Sequence, residues 1–276
     1  MQPAVNSNRD FFCTSLGQSI VIASTHNSVL TCYEVSNGII LCQIIKRNNK
    51  DFKNEFYEQK CSHNRRKHRN WVSTAKAFIS AGAKVWITGR SADNLQKATE
   101  EINSPKLKTV ISDTSNLAGI AVLEKAIADS GNTLDVLFLN AGIFAFAPIG
   151  QTTEADFDAQ FNTNVKGAYF TLQKLLPHLA NGSAVLFNSS VVATASNAGA
   201  SVYSATKGAV NKIAQIAANE LADRKIRVNI VSPGPTATPG FEAIPGGAEE
   251  MAAAATALQR MGNPDEIAKA VLFSSF

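Results

Sequence analysis

This 276-residue chain has no long apolar run and no basic stretch at its N-terminus, and its cysteines are unevenly distributed. No stretch approaches the roughly 18 uninterrupted apolar residues that a transmembrane helix needs, so we expect no membrane span. The N-terminus has no basic stretch ahead of an apolar core, and polar residues interrupt residues 11–23, which argues against a signal peptide. We therefore expect a cytoplasmic protein with no membrane association.

Cysteine and histidine are concentrated at one end of the chain. All four cysteines and three of the four histidines lie before residue 70. Cys61, His63 and His68 are close in sequence, but they lack a second cysteine pair at the spacing of a structural zinc site. We therefore predict no metal site.

Positive charge is concentrated between residues 46 and 70. This stretch contains nine Lys and Arg against three Asp and Glu, whereas the net charge of the whole chain is only +4. The basic run at residues 65–69 has no aromatic platform beside it, which favours a solvated loop over a nucleic-acid contact. We interpret residues 1–72 as an atypical N-terminal segment and residues 73–276 as one regular domain.

Two β-branched, apolar stretches in the N-terminal segment, residues 28–35 and 38–45, meet at the dipeptide Asn37-Gly38. Asn-Gly between two such stretches is typical of a two-residue β-hairpin turn. We therefore predict a hairpin there, followed by a polar, basic loop.

From residue 73 onward, apolar strand-like stretches alternate with segments of helical period. The predicted helices cover residues 74–81, 92–102, 117–130, 155–179, 201–221, 248–260 and 264–273, and the predicted strands cover residues 84–88, 109–112, 134–139, 184–188 and 226–231. This alternation is typical of βαβ units around a parallel sheet that is buried on both faces. We predict an α/β fold with a doubly wound, Rossmann-like parallel sheet.

Polar residues follow each of these predicted strands. They are Thr88-Gly89-Arg90, Asp113-Thr114, Asn140-Ala141-Gly142, Ser189-Ser190 and residues 232–238. The carboxyl ends of parallel strands share one edge of a sheet, and ligands bind beyond that edge in open α/β folds. Each group alone is also an ordinary turn or cap. Five of them at consecutive strand ends indicate a binding site.

Tyr203 and Lys207 are four residues apart at the start of a predicted helix, so their side chains share one helix face. A cation held beside a phenol favours the phenolate and lowers the phenol pKa, which makes a tyrosine a general acid/base. The pair alone equally suits an ordinary helix with a tyrosine on its packed face.

The sequence resembles the short-chain dehydrogenase/reductase family over about residues 73–275. The residues that carry the resemblance are Asn140-Ala141-Gly142, Asn164 in the stretch Phe-Asn-Thr-Asn-Val-Lys-Gly, Ser190, Tyr203 with Lys207, and Pro233-Gly234. Their order and spacing match the family. The resemblance implies an oxidoreductase that transfers a hydride between a nicotinamide dinucleotide and an alcohol or carbonyl substrate.

The resemblance also implies roles for single residues. Tyr203 would exchange a proton with the substrate oxygen, Lys207 would lower the tyrosine pKa and hold the nicotinamide ribose, and Ser190 would hydrogen-bond the substrate oxygen. Asn164 would help to hold a water that relays protons to the lysine. The cofactor-binding residues would be Arg90, Asp113, Thr114, Asn140, Ala141, Gly142, Tyr203, Lys207, Pro233, Gly234, Thr236 and Thr238.

The predicted cofactor is NADP rather than NAD. An acidic residue usually follows the second strand in NAD-binding sheets, because it accepts hydrogen bonds from the ribose hydroxyls. Gly89 and Arg90 occupy that place here, and a guanidinium suits a 2′-phosphate.

The expected substrate is a small alcohol or ketone. Candidates for a mostly apolar substrate pocket, each of which also suits a core position, are Phe144, Phe146, Val192, Phe241 and Ile244. The family usually pairs the helix of the Tyr-Lys motif with its copy in a second subunit, which implies a homodimer or homotetramer.

The sequence departs from the family pattern at both ends of the domain. The family opens with a strand and a Thr-Gly-x-x-x-Gly-x-Gly turn that holds the pyrophosphate at a helix N-terminus. Arg65, Arg69 and Trp71 stand where those glycines are expected, and the family's final edge strand is missing. We therefore expect an incomplete sheet, unless residues 38–45 take the place of the first strand. The alternative function is a catalytically impaired, reductase-like pseudoenzyme, or the product of a faulty gene model, that does not bind the dinucleotide.

Overall fold

The computed structural model describes residues 19–21, 34–36, 39–43, 70–238 and 248–276. The strands are β1 (Ser19–Val21), β2 (Glu34–Ser36), β3 (Ile39–Gln43), β4 (Lys84–Gly89), β5 (Leu107–Ile111), β6 (Leu134–Leu139), β7 (Gly142–Phe144), β8 (Leu179–Asn188) and β9 (Arg227–Ser232). The helices are α1 (Asn70–Ser80), α2 (Ala92–Ile102), α3 (Leu117–Asp129), α4 (Glu154–Gln160), α5 (Ala168–Leu175), α6 (Ser201–Glu220), α7 (Ala248–Ala254) and α8 (Pro264–Ser274). No helix in this described part of the chain is both long and apolar enough to cross a membrane.

A seven-stranded sheet lies at the centre of the structure, in the order β1-β9-β8-β6-β3-β4-β5. Every neighbouring pair is parallel except the two pairs that β3 makes. The run β5-β4-β3-β6-β8-β9 has the 3-2-1-4-5-6 arrangement of doubly wound dinucleotide-binding sheets. The predicted α/β, Rossmann-like architecture is therefore confirmed.

Strand β3 lies in the middle of the sheet and runs against both of its neighbours. Ile40 lies opposite Ile87 of β4 and Phe138 of β6 in two antiparallel ladders. The N-terminal segment thus supplies the central strand, which was one of the two alternatives drawn from the sequence, but its antiparallel direction was not predicted. A strand in this place pairs the backbone groups that β4 and β6 would otherwise leave unpaired on facing edges.

The regular domain provides only part of the sheet. Strands β4, β5, β6, β8 and β9 come from residues 84–232, whereas β1 and β3 come from the N-terminal segment. Strand β1 adds to the edge of the sheet, where Ile20 lies opposite Val231 of β9 in a parallel ladder. The domain's own set of strands is therefore incomplete, as predicted, and short strands from elsewhere in the chain extend it.

The predicted hairpin is wrong. Strand β2 pairs antiparallel with β7, with Glu34 opposite Phe144 and Ser36 opposite Gly142, so β2 and β3 belong to different sheets. A central strand forms hydrogen-bond ladders with neighbours on both sides, whereas a strand that pairs only with its hairpin partner forms a single ladder. The apolar β3 therefore satisfies more backbone groups in the middle of the sheet than it would beside β2.

Two apolar clusters cover the two faces of the sheet. On one face Leu123 of α3 and Val210 of α6 pack in the cluster that contains Leu137 of β6. On the other face Phe78 of α1 packs in the cluster that contains Phe138 of β6. Successive residues of one strand thus point into different clusters. Burial on both faces explains why these strands are almost continuously apolar.

The single helix predicted over residues 155–179 is interrupted. The Thr153 hydroxyl caps α4 by accepting from the backbone N–H of Asp156 at 3.1 Å. The backbone of Phe161–Gly167 then forms a π-helical turn before α5 continues. Such turns inside α-helices are frequent at functional sites.

Candidate active site

Helix α6 presents Tyr203 and Lys207 on one face, as their four-residue spacing predicts. The Lys207 Nζ lies 5.7 Å from the centroid of the Tyr203 ring. Tyr203 is half-buried, whereas Lys207 is only 3% exposed. Tyr203 is therefore partly accessible to solvent, whereas its cationic neighbour is shielded.

The Lys207 ammonium is held against the sheet. Its Nζ donates to the backbone carbonyl of Asn188, the last residue of β8, at 2.7 Å. Burial lowers the pKa of Lys207 from 10.5 to about 8, because desolvation disfavours the charged form. Near pH 7 the side chain still carries its proton for the most part, so it is a cation beside the phenol.

Asn164 lies in the π-helical turn and is 1% exposed. Its Oδ1 accepts from the backbone N–H of Ile143 at 2.8 Å, and its Nδ2 donates to the Ile143 carbonyl at 2.8 Å and to Thr206 Oγ1 at 3.0 Å. The turn packs closely at Gly167, where a side-chain carbon would lie 2.5 Å from the Thr114 carbonyl oxygen. Asn164 therefore ties β7 to α6.

Gly142 lies between Asn164 and Lys207. A side-chain carbon at this position would lie 3.4 Å from both the Asn164 Oδ1 and the Lys207 Nζ. The two polar atoms therefore face the same small volume at the start of β7. The structure thus brings together three residues that were predicted from separate parts of the sequence.

Ser190 follows β8 and precedes a short 3₁₀ turn, Val191–Ala193. Its Oγ accepts from the backbone N–H of Val192 at 3.4 Å. The backbone N–H of Val191 donates to the Pro233 carbonyl at 3.1 Å. The polar groups that follow β8 and β9 are therefore adjacent, as expected for neighbouring parallel strands.

The loop after β9 also contains two buried hydroxyl residues, Thr236 and Thr238. The Thr236 Oγ1 donates to the Gly234 carbonyl at 3.0 Å. The backbone of Thr236 forms a bridge with Gly262, which ties the loop to the segment before α8. This loop is therefore anchored at the same edge as Ser190.

Three aromatic rings pack together at the phenol. The Phe144 and Phe146 centroids lie 5.7 and 5.9 Å from the Tyr203 centroid, and the Phe146 ring meets the Tyr203 ring edge-on at 81°. Two of the residues predicted for an apolar pocket thus form a wall beside Tyr203. Phe241 and Ile244 lie outside the described residues.

Asn140 and Asn188 join the ends of β6 and β8. The Asn188 Nδ2 donates to the Asn140 Oδ1 at 2.8 Å, and Asn140 is 1% exposed. Within the described part of the chain, the Asn140 Nδ2 and the Asn188 Oδ1 have no hydrogen-bond partner. Both atoms are fully buried, so they are exceptions to the rule that buried polar groups are paired.

Three of the residues predicted to bind the cofactor, Arg90, Asp113 and Thr114, follow β4 and β5, on the far side of β3 from β6 and β8. The Asp113 Oδ1 accepts from the backbone N–H of Ser115 at 3.0 Å and from its hydroxyl at 2.7 Å. Thr114 is buried, and Arg90 is exposed just beyond β4. Arg90 and Thr114 both lie at the carboxyl edge of the sheet, as predicted.

The N-terminus of α1 differs from a glycine-rich phosphate site. Trp71 lies in the first turn, is 2% exposed and packs in the apolar cluster that contains Phe78 and Ile87. An indole thus takes a core position where the family has glycine. Arg65 and Arg69 lie outside the described residues. The residues present fit the nicotinamide end of a dinucleotide better than its pyrophosphate.

A metal centre is not seen in the part of the chain that the structure describes. No group of three or more His, Cys, Asp and Glu side chains there is arranged to hold a metal ion. Cys61, His63 and His68 fall outside the described residues.

Known proteins resemble this chain over the same region. A family model described as Enoyl-(Acyl carrier protein) reductase matches residues 72–274. The chain belongs to the short-chain dehydrogenase/reductase family. It is 38% identical over 209 residues to an uncharacterized oxidoreductase of Methylorubrum extorquens, which covers 73% of this chain and 84% of that protein. It is 36% identical over 207 residues to the 3-oxoacyl-(acyl-carrier-protein) reductase FabG of Thermotoga maritima, with 73% and 83% covered.

A solved member of the short-chain dehydrogenase/reductase family has the same fold. The crystal structure of a short chain dehydrogenase from Burkholderia cenocepacia in complex with NADP is 30% identical to this chain, with a TM-score of 0.69. The match covers 74% of this chain and 84% of that one. The shared region is thus most of the other protein.

Two residues at the site of this short-chain dehydrogenase/reductase were not identified from the sequence. Asn188 accepts from Lys207 through its backbone carbonyl, and Thr206 binds Asn164 through its hydroxyl. Asn188 is a polar residue at the end of an apolar strand, and Thr206 lies inside the motif between Tyr203 and Lys207. Both positions were visible in the sequence, but their partners come from distant parts of the chain.

Proposed function

We propose that this protein transfers a hydride between NADP(H) and a small alcohol or carbonyl compound, with Tyr203 as the general acid/base. The observation that carries the proposal is the placement of a half-buried phenol beside a buried ammonium, with the Lys207 Nζ 5.7 Å from the Tyr203 ring. Membership of an oxidoreductase family supports the class of reaction.

Each residue at the site has a separate part in the reduction. Tyr203 gives its proton to the substrate oxygen, and Lys207 stabilises the phenolate that remains, because a neighbouring cation favours the charged form. Ser190 donates a hydrogen bond to the same oxygen and sets its angle of approach. Asn164 keeps β7 in place beside Lys207, where a water would relay a proton to the lysine. When bound, NADPH supplies the hydride.

We propose NADP(H) as the cofactor. Lys207, Thr238 and the Pro233-Gly234 turn would hold the nicotinamide end, and the segment from Asn140 to Gly142 would line the adenosine side. Asp113 and Thr114 would contact the adenine. Arg90 would pair with the 2′-phosphate, because a guanidinium binds phosphate through two parallel hydrogen bonds. The similar Burkholderia cenocepacia structure, which is in complex with NADP, supports this choice.

The substrate we propose is a small molecule with an apolar part next to its oxygen. The rings of Phe144 and Phe146 lie 5.1 Å apart and flank Tyr203, so an apolar group bound at the phenol would contact them. The protein would act as a homodimer or homotetramer through α6, on which Ile216 is 47% exposed.

The test combines cofactor binding with turnover. NADPH is titrated into the full chain by calorimetry, and the oxidation of NADPH is then followed with a panel of small ketones and aldehydes. We expect saturable binding, tighter for NADPH than for NADH. Tyr203→Phe should lower kcat by a factor of about 10² to 10⁴, because the proton donor is lost.

Tyr169→Phe is the matched control, because Tyr169 is 47% exposed on α5 and lies outside the site. The Tyr169→Phe variant should have the same kcat as the unmodified protein. If the full chain shows no saturable binding at millimolar NADPH, the proposal is wrong and the protein is a pseudoenzyme. An unchanged kcat in Tyr203→Phe would remove the tyrosine from the mechanism.

A further inference from the structure

Thr206 lies between Tyr203 and Lys207 in the sequence, and its side chain points away from solvent. Its side chain is fully buried, at 0% exposure. Its Oγ1 donates to the Tyr203 carbonyl one turn earlier at 2.7 Å and accepts from the Asn164 Nδ2 at 3.0 Å. The hydroxyl thus joins the backbone of one proposed site residue to the side chain of another.

The hydrogen bonds around Thr206 leave little freedom. A threonine hydroxyl has one proton, and the Tyr203 carbonyl accepts it, so a lone pair is directed at Asn164. Both N–H groups of the Asn164 amide are then used, one by Thr206 and one by the Ile143 carbonyl. The amide oxygen accepts from the Ile143 N–H. A different rotation of the Asn164 amide would break this set.

We propose that Thr206 is a positioning residue that sets the orientation of the Asn164 amide relative to Lys207 and Tyr203. The inference deepens the proposed function and rests on it. A side-chain carbon at Gly142 would lie 3.4 Å from both the Asn164 Oδ1 and the Lys207 Nζ, so the orientation of the amide decides which of its polar atoms lies toward this shared position. If the amide turned over, its N–H groups would replace its oxygen there.

The hydroxyl of Thr206, rather than its volume, is what matters in this proposal. Thr206→Val keeps the shape of the side chain and removes the donor and acceptor, so one Asn164 N–H loses its partner in a buried place. Thr206→Ser keeps the hydroxyl and removes only a methyl group. The pair of variants therefore separates hydrogen bonding from packing.

Thr171 of α5 provides a matched control. Its side chain is also at 0% exposure, and its Oγ1 has no hydrogen-bond partner among the described residues. Thr171→Val therefore makes the same change in a helix of the same domain without removing a hydrogen bond. It should leave kcat, KM and the pH profile unchanged.

The experiment measures kcat and KM from pH 5 to 10 for the full chain and its variants with NADPH. Thr206→Val should lower kcat by about tenfold, which is less than the loss expected when the general acid/base itself is removed, and shift the pH at which kcat is half-maximal, with KM for NADPH unchanged. Thr206→Ser should stay within about threefold of the unmodified chain. In an Asn164→Ala background, Thr206→Val should add little, because residues that act through one contact are not additive.

A second measurement does not depend on turnover. Hydrogen exchange of the Ile143 amide, which donates to the Asn164 Oδ1, should be faster in Thr206→Val than in Thr206→Ser or Thr171→Val. Unchanged Ile143 exchange, or an unshifted pH profile with an unchanged kcat, would overturn the positioning role. Faster exchange in a chain that shows no turnover would leave the Thr206–Asn164 contact in place and overturn the proposed function instead.

Discussion

Strands β3 and β6 are neighbours in one sheet, but they bring different things to the candidate site. Strand β6 is parallel to β8 and delivers Asn140 to the carboxyl edge. Strand β3 is antiparallel to β6, and its first residue, Ile39, lies opposite Leu139 at that same edge. Both strands form ladders with neighbours on their two sides. Both strands stabilise the sheet through backbone hydrogen bonds, but only β6 leads into a residue of the candidate site at its carboxyl end.

Strand direction therefore separates the stability of this fold from its ligand chemistry. In a parallel βα unit, the loop from strand to helix lies at the carboxyl edge, where the helix N-terminus meets the phosphate. Strand β3 ends at the opposite edge of the sheet, so it does not lead directly into α1 at the carboxyl edge. Strand β3 provides backbone hydrogen bonds to β4 and β6, but it does not provide the glycine-rich turn of the family.

The largest expected effect concerns Trp71 at the start of α1. If the indole is part of the core and not of a ligand site, Trp71→Ala should lower the free energy of unfolding by about 4 kcal/mol, as for other buried aromatic side chains. Urea unfolding measures this change. Phe273→Ala, which removes an aromatic ring that is 65% exposed on α8, is the control and should have little effect. A gain in NADPH affinity with unchanged stability would instead place the indole in the phosphate space.

The next prediction compares a central with an edge strand. Leu41 of β3 lies opposite both Trp86 and Leu137, so Leu41→Pro disturbs two ladders. We expect it to lower the free energy of unfolding by about 3 kcal/mol or more. Ile20→Pro in β1, which among the described strands pairs with β9 alone, should have a smaller effect. Equal effects in thermal or urea unfolding would contradict the central placement of β3.

The buried ammonium at the candidate site predicts a pH dependence of stability. The pKa of Lys207 is about 8 in the folded chain and 10.5 when unperturbed. Between these values the unfolded chain binds the proton and the folded chain does not, so stability rises with pH across this window and the contribution levels off above it. The difference between the full chain and Lys207→Met should therefore change by up to about 3 kcal/mol from pH 7 to 11. A difference independent of pH would show that the ammonium is solvated.

The smallest expected effect is on cofactor choice, at the exposed Arg90 beyond β4. Arg90→Ser should weaken NADPH binding by about tenfold and leave NADH binding nearly unchanged, since only NADPH has the 2′-phosphate. Calorimetric titration with both cofactors measures the ratio. Lys97→Ser removes an exposed charge from α2, the helix that follows Arg90 in the chain, and should leave the ratio unaltered. Equal losses for both cofactors would rule out a contact between Arg90 and the 2′-phosphate.

Much of the site was predictable because parallel strands end at one edge. Asn140, Ser190 and Pro233 are separated by many residues in the sequence, yet each follows an apolar strand, so their convergence follows from the alternation of strands and helices. Helix periodicity likewise predicted that Tyr203 and Lys207 share a face. The π-helical turn at Asn164 was not predictable in this way, because the apolar residues on either side continue the pattern of an ordinary helix.

The sequence by itself determined the α/β class, the order of the candidate site residues and the absence of glycines from residues 39–81, since all three depend on local residue type and spacing. The tertiary structure alone decided the direction of β3, the pairing of β2 with β7, the burial of Lys207 and the contact between Thr206 and Asn164. The physical reason is that these features depend on partners distant in the chain. An apolar strand presents the same alternation of side chains in either direction, and a buried polar atom is satisfied only by what the fold places beside it.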